Sequence, residues 1–501
     1  SLFDEAGLAF RLVRPDSFTT QIQDYLAGKS PFLRGTAGMI NMAAEALSRD
    51  PRTQPVVIYQ ATWSAGGDAL VVKAGITSVQ ELRERTIALQ ADGPHLDFLL
   101  KILADAGLGV DDVLLRWLPG RGGSDNSPLA AFRQDDVDAT FVTSADALAL
   151  TSGETVGALA GDASRGARML LSTRTANRVI ADLYAVRSDY LQSHRQEVQA
   201  FVHAQLKAAE KLQLLAADKE GAGGDYRDIM NSTALLLFGS EGTIAAAEGL
   251  YADYEFVGWQ GNVNFFQTPT FPRSLVNISS QIQPGLIKLG VIESPLHLQG
   301  PAWDYAQLHD GLELAGAVSR ERFNREKVAL ALARKQQLGN LVDSELYSFE
   351  LSYAPNQDDF PADQYSDAFA RITDYAATYG GALVALEGHS DPLGYLRQKK
   401  LGGSSQLLGR IKQTARNLSL SRAVALRESI INYAMNHGIP LDDSQFAVAG
   451  EGIAKPGNGL CGDDPCEPQN VQEWRDNMRV AIRVLQVEAD AALLNPAFGQ
   501  P

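Results

Sequence analysis

Ala382-Leu-Val-Ala-Leu-Glu-Gly-His-Ser-Asp391, followed by Asn417-Leu-Ser-Leu-Ser-Arg-Ala423 and then Ala449-Gly-Glu-Gly-Ile-Ala-Lys-Pro456, decides how the C-terminal part of this chain folds. Ala382 to Leu386 is a short apolar run of strand type. Glu387-Gly-His-Ser-Asp391 reads as a polar exit that leaves a carboxylate at the strand's C-terminal end, well placed to meet a ligand. From Leu420 the apolar residues Leu420, Ala423, Val424, Ile431 and Ala434 recur at helical spacing, with Ser419 or Asn417 as the N-cap. Arg422 falls off that stripe, in the first turn. A cation there opposes the helix dipole at a cost of roughly 0.3–1 kcal/mol, so an anion lying beside Arg422 and the free helix N–H groups accounts for it best. One Asp and one Arg that converge can hold a zwitterion.

These motifs, with a Tyr347-Ser-Phe-Glu-Leu-Ser352 strand before them and Asn477-Met-Arg-Val480 after them, resemble the OmpA-like domain that grips peptidoglycan. The resemblance implies that Asp391 takes the ammonium and Arg422 the carboxylate of diaminopimelate in the stem peptide. It also implies that Ser390, Asn356 and Arg479 belong to the peptidoglycan-binding set. Taken singly, Asp391 would cap a loop and Arg422 would be a solvated helix residue, because surface Asp and Arg are common; the ordered set of motifs reverses that judgement. Two departures stand out. The connection between Asp391 and Arg422 is longer than the family's, and Leu396 to Arg416 reads as an insertion rich in Lys, Arg, Gly and Ser that reshapes the site or adds contacts to the glycan. The family's closing Asn-Arg-Arg-Val is one basic residue short.

At 501 residues the chain is long enough for several domains. A hydrophobic content of 45% with 21% charged residues is that of a globular protein. The net charge of −16 argues against nucleic acid as a partner, because phosphate binding needs a basic surface. No apolar run approaches the roughly 18–20 residues that span a bilayer. The sequence starts at Ser1, so any targeting or anchoring segment lies upstream of it, and its absence here is uninformative about export. The two cysteines, Cys461 and Cys466, flank a Gly/Asp/Pro turn that favours a local disulfide and an oxidising compartment. Zinc would need further Cys or His ligands nearby, and a redox motif would need two intervening residues.

Residues 1–309 alternate strand and helix signals. Leu8–Val13, Val56–Tyr59, Leu70–Val72, Thr86–Gln90, Val113–Trp117 and Asp138–Val142 read as strands. Ser17–Leu26, a segment opening at Thr77-Ser78, and His95–Ala106 read as helices. The pattern is α/β with parallel strands. Leu2-Phe-Asp-Glu-Ala-Gly-Leu8, Ala69–Ile76 with Ser78–Leu82, Thr86–Leu89 and Asp136–Val142 resemble the type II periplasmic binding proteins of ABC transporters, the group with sulfonate, nitrate and thiamine-precursor receptors. Val179–Arg187 and the long helix from Ser188 then return the chain to the first lobe. The family places a strand and a ligand-touching loop ahead of the segment that begins at Leu2. Ligands of such folds lie at strand C-terminal ends, on helix N-termini whose N–H groups suit an anion. The candidates are Gly35, Thr36, Ser64, Gly93, Thr143 and Ser144, each of which singly is an ordinary loop or cap residue. Trp63, Tyr59 and Trp259 either wall the site or pack in the core. Gly120-Arg-Gly-Gly-Ser-Asp125 lacks the Lys-Ser/Thr ending of a phosphate loop and reads as a turn.

The expected architecture is a two-lobed periplasmic-binding-protein fold over 1–309, a helical connector over 310–340, a smaller α+β OmpA-like domain over 341–488, and a tail over 489–501. The expected function is a periplasmic, cell-wall-associated receptor for a small anion (phosphate, a sulfonate or another oxyanion), anchored to peptidoglycan and partnered by an ABC permease or another envelope protein. No cofactor or metal is expected. An enzyme is one rival, but no Gly-x-Ser-x-Gly elbow, His-Glu-x-x-His or Walker loop is present. A structural adaptor whose binding module has lost its ligand is the other.

Overall fold

The computed structural model describes residues 2–13, 15, 17–119, 126–151, 166–219, 221, 224–240, 244–314, 322–328, 330, 334, 345–355, 357 and 359–486. The Gly120–Asp125 turn and the 489–501 tail lie outside them. The chain divides into two compact units between Val318 and Ser319, and both mix helices with sheets.

The first unit carries β1 (Phe32–Thr36), β2 (Pro55–Ser64), β3 (Asp68–Val72), β4 (Thr86–Gln90), β5 (Leu114–Leu118), β6 (Ala139–Thr143), β7 (Arg168–Ser172), β8 (Ala181–Arg187) and β9 (Tyr254–Phe256). They form two sheets, one for each expected lobe. The sheet ordered β1-β8-β2-β9 is antiparallel throughout. The sheet ordered β5-β4-β6-β3-β7 is parallel across β5, β4 and β6 and antiparallel where β3 meets β6 and β7. The expectation of parallel strands therefore holds only for β4 to β6. Parallel neighbours need a long, usually helical crossover, as His95–Asp105 provides between β4 and β5. Between β2 and β3 there is only Ala65–Gly67, which carries the chain from one sheet straight into the other.

Phe18–Leu26 forms the expected helix, its first turn closed by the Ser17 hydroxyl, which accepts from Thr20 N–H at 3.1 Å. Thr77-Ser78 opens only a short 3-10 turn, Val79–Leu82. Leu8–Val13 is not a strand. It is held by a ring rather than a ladder, with Phe10 packing on Phe201 at 4.8 Å and on Phe32 at 5.4 Å between centroids. Beneath the first sheet, Ile58 and Val186 meet Val198, Phe201 and Val202 of the helix Arg195–Ala217. Each such side chain contributes about 1.5–3 kcal/mol when fully buried.

The second unit carries β10 (Glu345–Ser352), β11 (Ala382–His389), β12 (Phe446–Gly452), a small hairpin of β13 (Leu460–Cys461) and β14 (Asp464–Pro465), and β15 (Arg479–Gln486). Its main sheet is ordered β10-β15-β11-β12, with β11 and β12 parallel and the other pairs antiparallel. Every residue of β11 is buried because both faces of the sheet are covered. Phe369 and Ile372 from the helix Ala362–Thr378, and Ala423, Leu426 and Ile430 from the helix Ser405–Asn436, cover one face. Phe323 and Val328 cover the other, against Leu383, Ala385 and Leu485. Those two residues lie in the stretch read as a connector, so part of it belongs to the core of this unit. Cys461 and Cys466 are joined as a disulfide across the small hairpin.

Two local expectations are corrected here. Strand β11 runs on to His389, so Glu387-Gly388-His389 is not its exit; Glu387 is buried and pairs with Arg483 of β15 at 3.0 Å. The helix carrying Arg422 starts at Ser405, with the Ser404 hydroxyl as its cap, not at Ser419 or Asn417. Arg422 is thus mid-helix, and its residue faces inward with Ser419, Ala423, Leu426, Ile430 and Ala434, while Leu420 is exposed. Glycines set this face. A Cβ on Gly388 would lie 2.0 Å from the Ser419 carbonyl oxygen, and one on Gly450 would lie 2.4 Å from that of Arg416. The helix backbone therefore rests directly on β11 and β12.

Gly388→Ala should force the helix off the sheet and cost roughly 1–3 kcal/mol, as overpacking does. Gly409→Ala, where a Cβ would meet nothing within 4 Å, should be neutral or gain up to about 1 kcal/mol. Urea unfolding followed by circular dichroism separates the two. Equal stabilities would show that the close approach is not needed.

Candidate functional site

A cleft of about 880 Å³ opens in the first unit where its two sheets meet. The chain crosses between the sheets at Ser64–Asp68 and again at Ser172–Ala181, and the crossings are tied side by side. Ser64 Oγ lies 2.9 Å from Thr173 Oγ1, which accepts from Gly66 and Asp68 N–H at 3.1 Å each. Ser64 also donates to Asp68 at 2.6 Å, and His95 Nε2 lies 2.8 Å from the other oxygen of that carboxylate. Burial works to raise the Asp68 pKa, but the bonds from His95 and Ser64 hold it below the usual value.

Of the expected ligand residues, Gly35, Thr36, Ser64 and Gly93 line this cleft. Thr143 and Ser144 are not among its lining residues. Thr143 hydrogen-bonds Asp146 at 3.1 Å and Ser144 donates to the Gly66 carbonyl, so both brace the turn beside the cleft. Tyr59 and Trp63 are buried in the core, and Trp259 donates to the Tyr305 carbonyl at 2.8 Å. The aromatic wall consists instead of Phe3, Phe10, Phe18, Phe32, Tyr184, Phe201 and Tyr254. Asp92, beside the expected Gly93, is also in the lining, but sequence reading missed the rest of the charged lining, Asp24, Asp68 and Asp182 against Arg11 and Arg34. Arg34 sits in β1 one residue before Gly35, and that adjacency was the available signal. Its Nε lies 3.1 Å from Asp182 Oδ2.

The helix Ala37–Leu47 points its N-terminus at this region, capped by Thr36 Oγ1, which accepts from Met39 N–H at 3.3 Å. A carboxylate from within the protein already occupies the anion position there. Asp97 Oδ2 accepts from Gly38 N–H at 2.8 Å and Oδ1 accepts from the Thr36 hydroxyl at 3.2 Å. Only glycine fits beside it, since a Cβ at position 38 would lie 1.8 Å from Asp97 Oδ1. Burial pushes the Asp97 pKa up to about 6, against the lowering effect of the Gly38 and Thr36 hydrogen bonds. Among the described residues no three His, Cys, Asp or Glu side chains are grouped to hold a metal.

In the second unit, Arg422 is 6% exposed, and its guanidinium stacks 4.4 Å over the Tyr353 ring. Its Nε donates to the Gln357 carbonyl at 3.0 Å and its Nη1 to Tyr353 Oη at 3.1 Å. Tyr353 in turn donates to the His389 carbonyl, two residues before Asp391. The fold thus brings the ends of the two motifs together through one tyrosine. Asp391 is half-buried and accepts from Leu393 N–H at 3.0 Å. Among the described residues no carboxylate pairs with Arg422, and burying a lone cation costs several kcal/mol. Ser390 and Arg479 are used structurally. Ser390 N–H donates to the Gly452 carbonyl at 2.7 Å and its hydroxyl to that of Ala415 at 3.2 Å. Arg479 pairs with Glu350 at 2.7 Å and also donates to the carbonyls of Asp476 and Lys455. Asn356 lies outside the described residues. Burial, then the charges of Arg479, Lys455 and Arg483, push the His389 pKa down to about 3, so the motif's imidazole is neutral at ordinary pH.

A family model described as NMT1/THI5 like matches residues 2–213, which span β1 to β8. No curated protein matches the chain. Among solved structures, a putative sulfonate ABC transporter periplasmic sulfonate-binding protein, SsuA from Methylobacillus flagellatus, is 17% identical, with a TM-score of 0.43 over 63% of this chain and 86% of that one. The periplasmic aliphatic sulphonate binding protein SsuA from Escherichia coli is 13% identical, with a TM-score of 0.41 over 59% and 82%. The desulfurization enzyme DSZB is 17% identical, with a TM-score of 0.36 over 61% and 92%. No helix among the described residues is long and apolar enough to cross a membrane.

Because the Asp97 pKa is raised from 3.8 to about 6, the folded state holds an extra proton between those values. Stability linked to this group is then greatest at low pH and falls as pH rises through that window, by up to about 3 kcal/mol. Asp97→Asn should remove this component, so its melting temperature should gain on the wild type between pH 4 and about pH 6.5. An unchanged gap across that range would show that Asp97 is not a buried, strained acid.

Proposed function

We propose that this protein is a wall-anchored solute receptor of the periplasm: the first unit binds a small molecule in its cleft, and the second binds peptidoglycan. The single observation that carries the second half is Arg422, a buried guanidinium with no described carboxylate partner, joined through Tyr353 to the last residue of the strand that ends two positions before Asp391. That arrangement suits a ligand with a carboxylate for Arg422 and an ammonium for Asp391, the ends of a diamino acid in a stem peptide. The NMT1/THI5 like match and the tied double crossing beneath an 880 Å³ cleft support the first half. Such a protein would hand its solute to an ABC permease or another envelope component, and it would need no catalytic group.

A small oxyanion is the solute class that the strand ends favour, with Arg11 as the cation not committed to a described partner. One observation favours the adaptor reading instead. The helix N-terminus best suited to an anion is filled by Asp97, and Arg34 is held by Asp182. The adaptor would keep the two-sheet shape as a protein-binding surface without a solute.

Asp391→Ala and Arg422→Ala should each abolish retention on purified sacculi, since removing one partner of a desolvated charge pair costs roughly 2–5 kcal/mol. Undiminished retention of both variants would sink the wall-binding reading. For the cleft, a solute at a hundred times its dissociation constant should stabilise the full chain by about 2.7 kcal/mol, visible as a thermal shift. If phosphate, sulfonates, amino acids and pyrimidines all fail to shift it, the adaptor reading replaces the receptor.

A further inference from the structure

In a chain of net charge −16, residues 392–427 carry eight Lys and Arg and no Asp or Glu. The fold turns this run into a helical hairpin. Leu393–Lys400 forms one limb, Gly402 at φ +73° makes the bend, and the first half of the helix Ser405–Asn436 forms the other. From Ser405 to Leu418 that helix has no buried residue, although it is fully regular. An exposed helix of this length is marginal by itself, so something must hold it.

The buttress is the disulfide hairpin. Tyr395 Oη donates to Asp464 at 2.7 Å, Lys399 pairs with the same carboxylate, and Lys400 pairs with Glu467. Lys412 lies 4.8 Å over the Tyr395 ring, which joins the two limbs. Both Lys399 and Lys400 are thereby neutralised. Arg397 and Arg410 meet no carboxylate among the described residues, and Lys412 stands over the Tyr395 ring within the field of Asp464 without an ion pair of its own, so these three remain exposed cations. The hairpin is also continuous with the wall site, because the Ala415 carbonyl accepts from Ser390 and Arg416 donates to the Gly450 carbonyl at 3.1 Å.

We propose that this hairpin is a second wall-binding surface, in which Arg397, Arg410 and Lys412 take the ionised carboxylates of stem peptides neighbouring the one held at Asp391 and Arg422. The inference rests on the wall-binding reading above. A surplus of exposed cations on a protein that otherwise repels anions draws an acidic polymer to this hairpin. An anionic membrane is the lesser match, since surface helices that enter bilayers present a broad apolar face, and here the bend offers single exposed leucines, Leu401 and Leu407.

The test compares the full chain with its Arg397→Gln/Arg410→Gln/Lys412→Gln variant, after matching circular dichroism melts establish that both fold. Affinity for intact sacculi should fall about tenfold at low salt, as three exposed charge contacts together would give, and its salt dependence should flatten. Affinity for a soluble disaccharide-tetrapeptide fragment should stay at the wild-type value, because one stem peptide fills only the Asp391–Arg422 site. Unchanged binding to sacculi overturns the proposal, as does an equal loss on the fragment. Sedimentation of the wild type with phosphatidylglycerol vesicles, combined with unchanged sacculus binding by the variant, overturns it in favour of a membrane surface. If the wild type binds neither sacculi nor fragment, the underlying wall-binding reading fails instead.

Discussion

The second unit depends on the contact of a helix backbone with a sheet where three glycines remove every side chain between them. Ser419 lies on Gly388 and Arg416 on Gly450, and Gly452, at φ +59°, sits against the Arg416 amide. That contact fixes the rotation of the helix about its axis. It sends Ala423, Leu426 and Ile430 into the apolar core and Arg422 into a polar pocket at the strand ends. Any residue larger than glycine at these positions would raise the helix and move the guanidinium away from Tyr353. The chemistry of the site is thus set by an absence of atoms as much as by Arg422 itself.

In the first unit the comparable device is the double crossing at Ser64 and Thr173. Two strands pass between sheets at one point, and their hydroxyls bond to each other and to the intervening amides. The charge lining is largely self-neutralising. Asp182 holds Arg34, His95 and Ser64 hold Asp68, and Asp97 caps a helix from inside. Arg11 is the lining cation without a partner among the described residues.

Much of the local reading was legible from the residues. Ser17 and Thr36 announce helix starts, β-branched runs mark β2, β3 and β6, and a Gly/Asp/Pro turn between two cysteines gives the small disulfide hairpin. The site candidates Gly35, Thr36, Ser64 and Gly93 do meet at one cleft, since the ends of strands are where an α/β fold gathers its loops. Thr143 and Ser144 follow the same rule and miss, because their hydroxyls are taken up by the neighbouring turn.

What the sequence by itself determined is most of the order of elements, some caps and turns such as Ser17 and the Cys461–Cys466 turn, and the pairing of a Gly-His-Ser-Asp segment with a distant Leu-Ser-x-x-Arg segment. These are short-range properties, set by propensity, periodicity and the chemistry of a few residues. Which face of the long helix looks inward was decided only by tertiary structure. The apolar stripe put Leu420 inside and Arg422 outside, and close packing at Gly388 and Gly450 reversed both. Strand direction was likewise beyond the sequence. An antiparallel sheet formed where parallel strands were expected, because β8, returning from the other sheet, inserts between β1 and β2 and runs opposite to both. Burial and partner choice follow from such long-range contacts, and no window of sequence contains them.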